Sequence, residues 1–141
     1  MGSPSAQNLD FCPELGVVHA RRAHIHEIVN QVVVNDLADV TLSFGRSPII
    51  SYLEDELEEI VVAPSAVYLK IASPERDRVR VMSGVARLAE RFGVPFAFDP
   101  VGAGSTRLRT QLALELLHPL CGAIVEVDVG KCACSWVVGA A

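Results

Sequence analysis

Short apolar runs alternate with longer segments of helical character along this sequence, and this alternation limits the fold more than any other feature. Runs of strand length cover residues 47–50, 66–71, 94–99 and 123–128. The segments between them have apolar residues at helical spacing. This order favours right-handed β-α-β units, in which helices join parallel strands. We therefore predict an α/β domain with a mainly parallel sheet flanked by helices.

Helices are predicted over residues 29–43, 53–61, 74–92 and 106–118. The third has the clearest ends, because Ser73 and Pro74 are typical of a helix start and Gly93 of a helix stop. Each helix should bury one apolar stripe. The residues expected to face inward are Val33, Leu37, Val40, Leu42, Leu53, Leu57, Ile60, Val81, Val85, Leu88, Phe92, Leu108, Leu112 and Leu116.

Length and composition narrow the class of protein. The 141 residues suffice for one domain with a core, and the net charge of −5 comes without any basic run. We therefore exclude nucleic acid as the main partner. No apolar stretch reaches the ~20 residues needed to cross a membrane, and residues 1–6 lack the pattern of a secretory signal. We expect a cytoplasmic protein whose residues 1–20 form an N-terminal arm.

The cysteines and histidines are weak candidates for a metal site. The four cysteines, too few for a disulfide framework, are expected to be free thiols; they are Cys12, Cys121, Cys132 and Cys134. Cys132 and Cys134 could supply half of a metal site, and His24 and His26 would lie on one face of a strand. Since no second pair stands at a finger-like spacing, ordinary thiols and histidines are favoured.

The segment from Asp99 to Thr106 reads Asp-Pro-Val-Gly-Ala-Gly-Ser-Thr and joins an apolar run to the last predicted helix. Ligands of an open parallel sheet bind beyond the carboxyl ends of its strands, where Asp99 lies. Gly102 and Gly104 would let backbone N–H groups approach an anion, and Thr106 could cap the following helix. A carboxylate beside such a loop suits Mg²⁺ together with phosphate. A purely structural strand-to-helix junction is the alternative.

Three collinear segments share their pattern with one enzyme family. The first is Asp99–Thr106 with Arg109 after it, and the second is Asn-Gln-Val-Val-Val-Asn over residues 30–35. The third is Phe-Gly-Arg-Ser-Pro-Ile-Ile over residues 44–50. All three resemble signature segments of the hydroxyethylthiazole kinases, which are thiamine-pathway members of the ribokinase-like superfamily.

The resemblance implies a partial ribokinase-like domain with three α/β/α layers. It also implies ATP-dependent phosphorylation of the primary alcohol of hydroxyethylthiazole, with Mg²⁺ near Asp99, in a homotrimer with sites at subunit interfaces. The thiazole pocket would be lined by Asn30, Ser47, Pro48 and Ile50. The phosphates of the nucleotide would lie near Lys70, Gly102, Gly104, Thr106 and Glu126.

The sequence departs from the family pattern at charged positions. Lys70 begins Lys-Ile-Ala-Ser where the family has Asn-Ile-Gly-Thr. Glu126 stands where an Arg near the nucleotide is expected and would repel phosphate. Lys131 stands where a Glu near the metal is expected and would compete with Mg²⁺.

Three hypotheses follow from this sequence. Residues 21–141 would be an incomplete kinase-like domain, and no catalytic residue is assigned because the expected base would lie downstream of the chain end. The first hypothesis is a kinase by descent, with weak or no turnover from this polypeptide. The second is a non-catalytic relative that keeps a small-molecule pocket or the oligomer interface. The third is a different α/β phosphate-binding protein that uses a similar loop.

Overall fold

The computed structural model describes residues 23–63, 66–118 and 124–125. Its strands are β1 (His24–Ile28), β2 (Ser47–Ile49), β3 (Ala66–Lys70), β4 (Phe96–Asp99) and β5 (Ile124–Val125). Its helices are α1 (Val34–Ser43), α2 (Leu57–Val62), α3 (Arg76–Phe92) and α4 (Arg107–Leu117), with a single 3₁₀ turn over Glu54–Glu56 directly before α2.

The strands form one parallel sheet in the order β2-β1-β3-β4-β5. The prediction of an α/β domain with a mainly parallel sheet is thus confirmed. From β1 the chain passes to β2 on one side, and then across to β3 on the other. Right-handed connections therefore put α1 on one face of the sheet and α2, α3 and α4 on the opposite face. Between β1 and β3 the direction of winding changes, and loops at such a point diverge and leave a crevice.

The two faces of the sheet have different chemistry because side chains alternate along each strand. The core face carries Ile28, Val67, Leu69, Phe96 and Phe98, each at most 6% exposed, packed against α2, α3 and α4. The opposite face, here called the polar face, carries Glu27, Tyr68, Lys70 and Asp99. Apolar burial on the core face therefore holds the sheet, while charged groups gather on the other side.

The first predicted helix begins later than expected, and a different side of it faces the sheet. It starts at Val34 because residues 31–33 form a turn, and Val40 and Leu42 are 50% and 55% exposed. The prediction that these two face inward is wrong. Thr41 is buried instead, since its hydroxyl donates a hydrogen bond to Glu27 on β1. This bond sets which side of α1 faces the sheet.

Other boundary predictions fail for similar local reasons. Leu53 is 67% exposed because the 3₁₀ turn replaces the first helical turn expected there. Helix α3 begins at Arg76, and among the described residues no side chain caps it, so the predicted cap at Ser73 is wrong. Leu108 is 60% and Phe92 39% exposed, since each lies at an end of its helix. The confirmed end is Gly93, which has the left-handed φ of 65° typical of a helix stop.

Two further predictions concern the margins of the sheet. The run over 47–50 forms the edge strand β2, and Ile50 is 40% exposed, so the run is not buried as expected. Of the run over 123–128, only Ile124–Val125 is described, and it pairs with Ala97–Phe98. The N-terminal arm, the four cysteines, Glu126 and Lys131 lie outside the described residues. Across the described ranges, no helix is long and apolar enough to cross a membrane.

Candidate functional site

Polar groups from three adjacent strands meet at the carboxyl edge of the sheet. Asn30 follows β1, Lys70 ends β3, and Asp99 ends β4. Since β1, β3 and β4 are neighbours, the topology brings these predicted site residues to one edge, beside the point where the winding changes. Two connections extend from this edge, and we call residues 71–75 the alanine turn and residues 100–106 the glycine loop.

Lys70 and Asp99 form an ion pair across β3 and β4. The two residues are register partners, so their side chains lie on the same face of the sheet. The Lys70 Nζ bonds to Asp99 Oδ2, and the side chains are 25% and 10% exposed respectively. The carboxylate is thus nearly buried against a cation from its own chain, while a quarter of the Lys70 side chain stays exposed.

The glycine loop is closed by its own hydrogen bonds. The Ala103 N–H donates to Pro100 O at 2.8 Å, and the Ser105 N–H donates to Gly102 O at 3.1 Å. The Gly104 N–H donates to the Thr110 hydroxyl at 2.8 Å. Three backbone N–H groups of this segment are therefore already used, two within the loop and one by a side chain of α4.

Helix α4 begins directly after the glycine loop and is capped as the sequence predicts. The Thr106 Oγ1 accepts a hydrogen bond from the Arg109 N–H at 3.2 Å. Such a cap satisfies one backbone donor of the first turn and fixes the helix start. The positive end of α4 therefore lies at the same edge as Lys70 and Asp99.

Arg109 joins the two connections. Its guanidinium donates to the Ala72 carbonyl in the alanine turn and packs over Gly102 in the glycine loop. A Cβ built on Gly102 would lie 2.6 Å from Arg109 Nη1, and Gly102 has a φ of 85°. Only glycine combines this backbone with so close a neighbour. Arg109 also adds a second cation to an edge that holds one buried carboxylate.

The alanine turn holds an unusual backbone. Ala72 has a φ of 39°, which is a left-handed conformation that costs a residue with a Cβ about 1–2 kcal/mol. In Lys-Ile-Ala-Ser, the alanine occupies the place of the glycine in the family motif. The hydrogen bond from Arg109 to the Ala72 carbonyl helps to hold this conformation.

The end of β1 is held by buried polar contacts. The Asn30 Oδ1 accepts a hydrogen bond from the Val33 N–H at 3.2 Å, and Asn30 is 9% exposed. The Tyr52 hydroxyl donates to the Val29 carbonyl at 3.1 Å, and the Arg78 guanidinium lies 5.3 Å from the centre of the Tyr52 ring. Burial raises the pKa of Tyr52, so its hydroxyl keeps its proton and remains a donor.

Two neighbouring residues of β1 are buried titratable groups on opposite faces. Burial raises the pKa of Glu27, and the hydrogen bond from Thr41 opposes this rise only in part. Burial lowers the pKa of His26, whose Nε2 lies 3.3 Å from the Ser51 carbonyl. In the described part of the chain, Glu27 Oε2 and His26 Nδ1 have no hydrogen-bond partner. Burial therefore shifts the titration of both groups towards the neutral form.

The predicted thiazole contacts do not all meet in one place. Ser47 pairs with His24 at the beginning of β1, whereas Asn30 follows the end of that strand. Pro48 and Ile50 also belong to the β2 edge, which β1 and β3 separate from Asp99. Within one copy of the chain, Ser47, Pro48 and Ile50 therefore lie apart from the Lys70–Asp99 pair, whereas Asn30 lies at the same edge of the sheet.

A groove of about 240 Å³ lies between α1 and the polar face of the sheet. Its lining residues are Val33, Asp36, Leu37, Val40, Tyr68 and Lys70. The groove is mostly apolar, with the Lys70 side chain on its wall. Over the described ranges, no three His, Cys, Asp or Glu residues are grouped as a metal site would require.

Sequence reasoning missed several residues that shape this edge. Arg109 follows the Asp99–Thr106 segment, but nothing near it in the sequence indicates its hydrogen bond to Ala72, which lies 37 positions earlier. Tyr52 and Arg78 come together through tertiary packing in the same way. The sequence shows that Lys70 differs from the family pattern. Its pairing with Asp99 follows only from the register of β3 and β4.

Comparisons with known proteins agree on one family. A sequence model of the hydroxyethylthiazole kinase family matches residues 15–133. A protein named hydroxyethylthiazole kinase from Pyrococcus furiosus is 42% identical over 117 residues, which are 83% of this chain and 44% of the relative. One of the same name from Methanocella arvoryzae is 38% identical, over 82% of this chain and 44% of the relative. The chain thus spans somewhat less than half the length of these curated relatives.

A solved structure gives the same result for the fold. The structure of hydroxyethylthiazole kinase protein from Pyrococcus horikoshii OT3 superposes with a TM-score of 0.80 at 35% identity. The match covers 84% of this chain and 46% of that chain. From the sequence match and the shared fold, we conclude that the chain belongs to the hydroxyethylthiazole kinase family.

Proposed function

We propose that this chain is the thiazole- and phosphate-facing part of an enzyme that transfers the γ-phosphoryl group of ATP to the alcohol of hydroxyethylthiazole. In this reaction the substrate oxygen forms a bond to phosphorus, the bond to ADP breaks, and the alcohol proton leaves. The names of its relatives support an enzyme over a non-catalytic relative. A cytoplasmic location, expected from the sequence, is part of the proposal.

One observation carries the proposal. Asn30, the Lys70–Asp99 pair and the start of α4 meet at the carboxyl edge of a parallel sheet, beside the point where its winding changes. Ligands of open α/β sheets bind at such a point. The cations Lys70 and Arg109 and the positive end of α4 favour a phosphate group there.

The thiazole side of the proposal involves a second copy of the chain. Ser47, Pro48 and Ile50 lie on the β2 edge, separated by two strands from Asp99. Ile50 is 40% exposed, so its side chain is accessible to a ligand or to a neighbouring subunit. An oligomer, a trimer by analogy with the family, would let one copy supply these residues to the phosphate-facing edge of another.

Mg²⁺ is the metal that the resemblance implies beside Asp99. Mg²⁺ at such a site is usually held by one or two carboxylates together with phosphate oxygens, and the Asp99 carboxylate that would serve here already pairs with Lys70. An ammonium group at the carboxylate also repels a divalent cation. The described residues therefore do not fit Mg²⁺, and the proposal assigns the charge facing the phosphates to Lys70.

The proposal is tested by incubating the purified chain with ATP and hydroxyethylthiazole. We expect weak ADP formation that requires the alcohol, with the phosphorylated thiazole detected by mass spectrometry. Binding of the alcohol is measured in parallel by calorimetry. Absence of both thiazole binding and thiazole-dependent ADP release would contradict the proposal.

Alanine substitutions at two exposed apolar residues test where the thiazole binds. Ile50→Ala should weaken thiazole binding about tenfold, because one apolar contact in a pocket contributes about 1–3 kcal/mol. The matched control is Val62→Ala, which truncates a 56% exposed side chain outside the three signature-like segments and should leave binding unchanged. Equal effects of the two variants would count against a thiazole contact at Ile50.

A further inference from the structure

The Lys70–Asp99 pair differs from a metal site in the charge that it presents. A lone strand-end carboxylate attracts cations, and a metal ion held there can in turn bind phosphate. In this chain the carboxylate is 10% exposed and paired, so the accessible charge belongs to the ammonium group of Lys70. The pair therefore presents a cation where a metal would otherwise provide one.

The ammonium group keeps the capacity to bind an anion. A lysine ammonium has three N–H donors, and its bond to Asp99 Oδ2 uses one of them. Lys70 is a quarter exposed and lines the groove beside α1, so its remaining donors are accessible. Asp99 in turn fixes the position of the ammonium group, which lowers the entropy cost of binding an anion.

The surroundings of the pair add positive charge. Arg109 contacts the carbonyl of Ala72, two residues after Lys70, and packs over the glycine loop that follows Asp99. The start of α4 contributes the positive end of its dipole. Lys70, Arg109 and the start of α4 thus lie at the edge that holds the paired Asp99, and Asp36 is a second carboxylate that lines the groove beside Lys70. The two cations balance these two carboxylates, and the helix end adds the positive charge that favours a phosphate.

We propose that Lys70 takes the place of a divalent cation beside Asp99, so that this edge binds phosphate groups without a metal ion. The inference deepens the proposed function, since it concerns how the phosphates of the proposed nucleotide are held. The ligand class is a phosphate-bearing small molecule, and inorganic pyrophosphate is the probe.

The experiment is calorimetric titration of the chain with pyrophosphate, once in EDTA and once with excess Mg²⁺. We expect saturable binding in EDTA, with no more than a threefold gain when Mg²⁺ is added. Undetectable binding in EDTA, or at least a tenfold gain with Mg²⁺, would overturn the inference. This comparison uses the unaltered protein and does not depend on whether any variant folds.

Substitutions at the pair test which residue carries the effect. Lys70→Asn should weaken binding in EDTA at least tenfold, and Lys70→Arg should stay within threefold because it keeps the positive charge. Arg87→Asn removes an exposed cation of α3 outside this edge and is the matched control. If Lys70→Asn binds like the parent chain, or if Arg87→Asn weakens binding equally, the inference is wrong.

Pyrophosphate binding tests this inference, whereas thiazole binding and turnover test the proposed function, so the two can fail separately. Hydroxyethylthiazole binding is measured with the same samples and should be unchanged in the control Arg87→Asn. Mg²⁺-dependent pyrophosphate binding together with thiazole turnover would overturn the inference and leave the proposed function intact. No pyrophosphate binding under either condition would also overturn the inference, while thiazole binding and turnover would decide the proposed function independently.

Discussion

The glycine loop and the alanine turn follow neighbouring strands, yet they reach their conformations in different ways. In the glycine loop, both left-handed positions are occupied by glycine, with φ of 85° at Gly102 and 86° at Gly104. In the alanine turn, the left-handed position is occupied by Ala72, at a φ of 39°. The first connection follows its local sequence preferences, and the second is held against them.

The difference extends to the helices that follow. Thr106 caps α4 through its side chain, whereas the residue before α3, Glu75, forms no such bond within the described ranges. The alanine turn instead depends on Arg109, a residue of the other connection. One loop is thus stabilised locally, and it supplies the residue that stabilises its neighbour. The more strained turn also follows Lys70, the residue at which the sequence differs from the family pattern.

The largest expected effect is on the glycine loop. Gly102→Ala should destabilise the protein by about 3 kcal/mol, because left-handed strain adds to a shift of Arg109 that would weaken its hydrogen bond to the Ala72 carbonyl. Gly104→Ala is the matched control: its φ is similar, but a Cβ there meets no atom of the described structure within 4 Å. That variant should cost only about 1 kcal/mol. Denaturant unfolding measures both, and equal losses would show that Arg109 does not restrict Gly102.

The second prediction concerns the link between the two connections. Arg109→Ala should destabilise the protein by about 2 kcal/mol, since a hydrogen bond from a charged group contributes about 1.5–3 kcal/mol. The matched control is Arg107→Ala, an exposed arginine at the start of the same helix, with an expected change below about 0.5 kcal/mol. Thermal unfolding compares the two variants. A larger loss for Arg107→Ala would contradict the bridging role of Arg109.

The third prediction compares the two helix starts. Thr106→Ala should cost about 1 kcal/mol, the usual value for loss of a helix cap. Ser73→Ala, near the start of α3, should change stability by less than about 0.5 kcal/mol because α3 begins three residues later. Urea titration of both variants gives the difference. If Ser73→Ala matched Thr106→Ala, the two connections would not differ in capping.

The smallest expected effect is a gain in stability in the alanine turn. Ala72→Gly should stabilise the protein by about 0.5 kcal/mol, because relief of left-handed strain outweighs the flexibility that glycine adds to the unfolded chain. The shift in the unfolding midpoint measures this gain. A loss of stability instead would mean that Ala72 is not strained, and the contrast between the two connections would fail at this position.

Much of the fold followed from patterns that are local in the sequence. The apolar runs predicted β2, β3 and β4 with small errors at their ends and also covered β5, whereas none of them covered β1. Gly93 and Thr106 marked helix boundaries correctly. These predictions succeeded because each pattern depends on residues close in sequence, within about one helical turn or along a single strand. Val40 and Leu42 failed because a buried partner, Glu27, decided the rotation of α1.

The candidate site was predictable in its parts and not in its arrangement. Asp99, Gly102, Gly104 and Thr106 stand in one segment, so their proximity needed no tertiary information. Ser47 and Asn30, in contrast, belong to different ends of the sheet, and the strand register alone reveals this. Glu126 lies outside the described residues, and its predicted role near the nucleotide stays a prediction.

The sequence by itself determined the parallel α/β plan, the glycine loop and the presence of a lysine in place of an amide at position 70. The tertiary structure decided what that lysine does. Lys70 and Asp99 are 29 residues apart and meet because β3 and β4 pair in one particular register. A shift of one residue would place the two side chains on opposite faces, so the charge at this edge is a property of strand pairing.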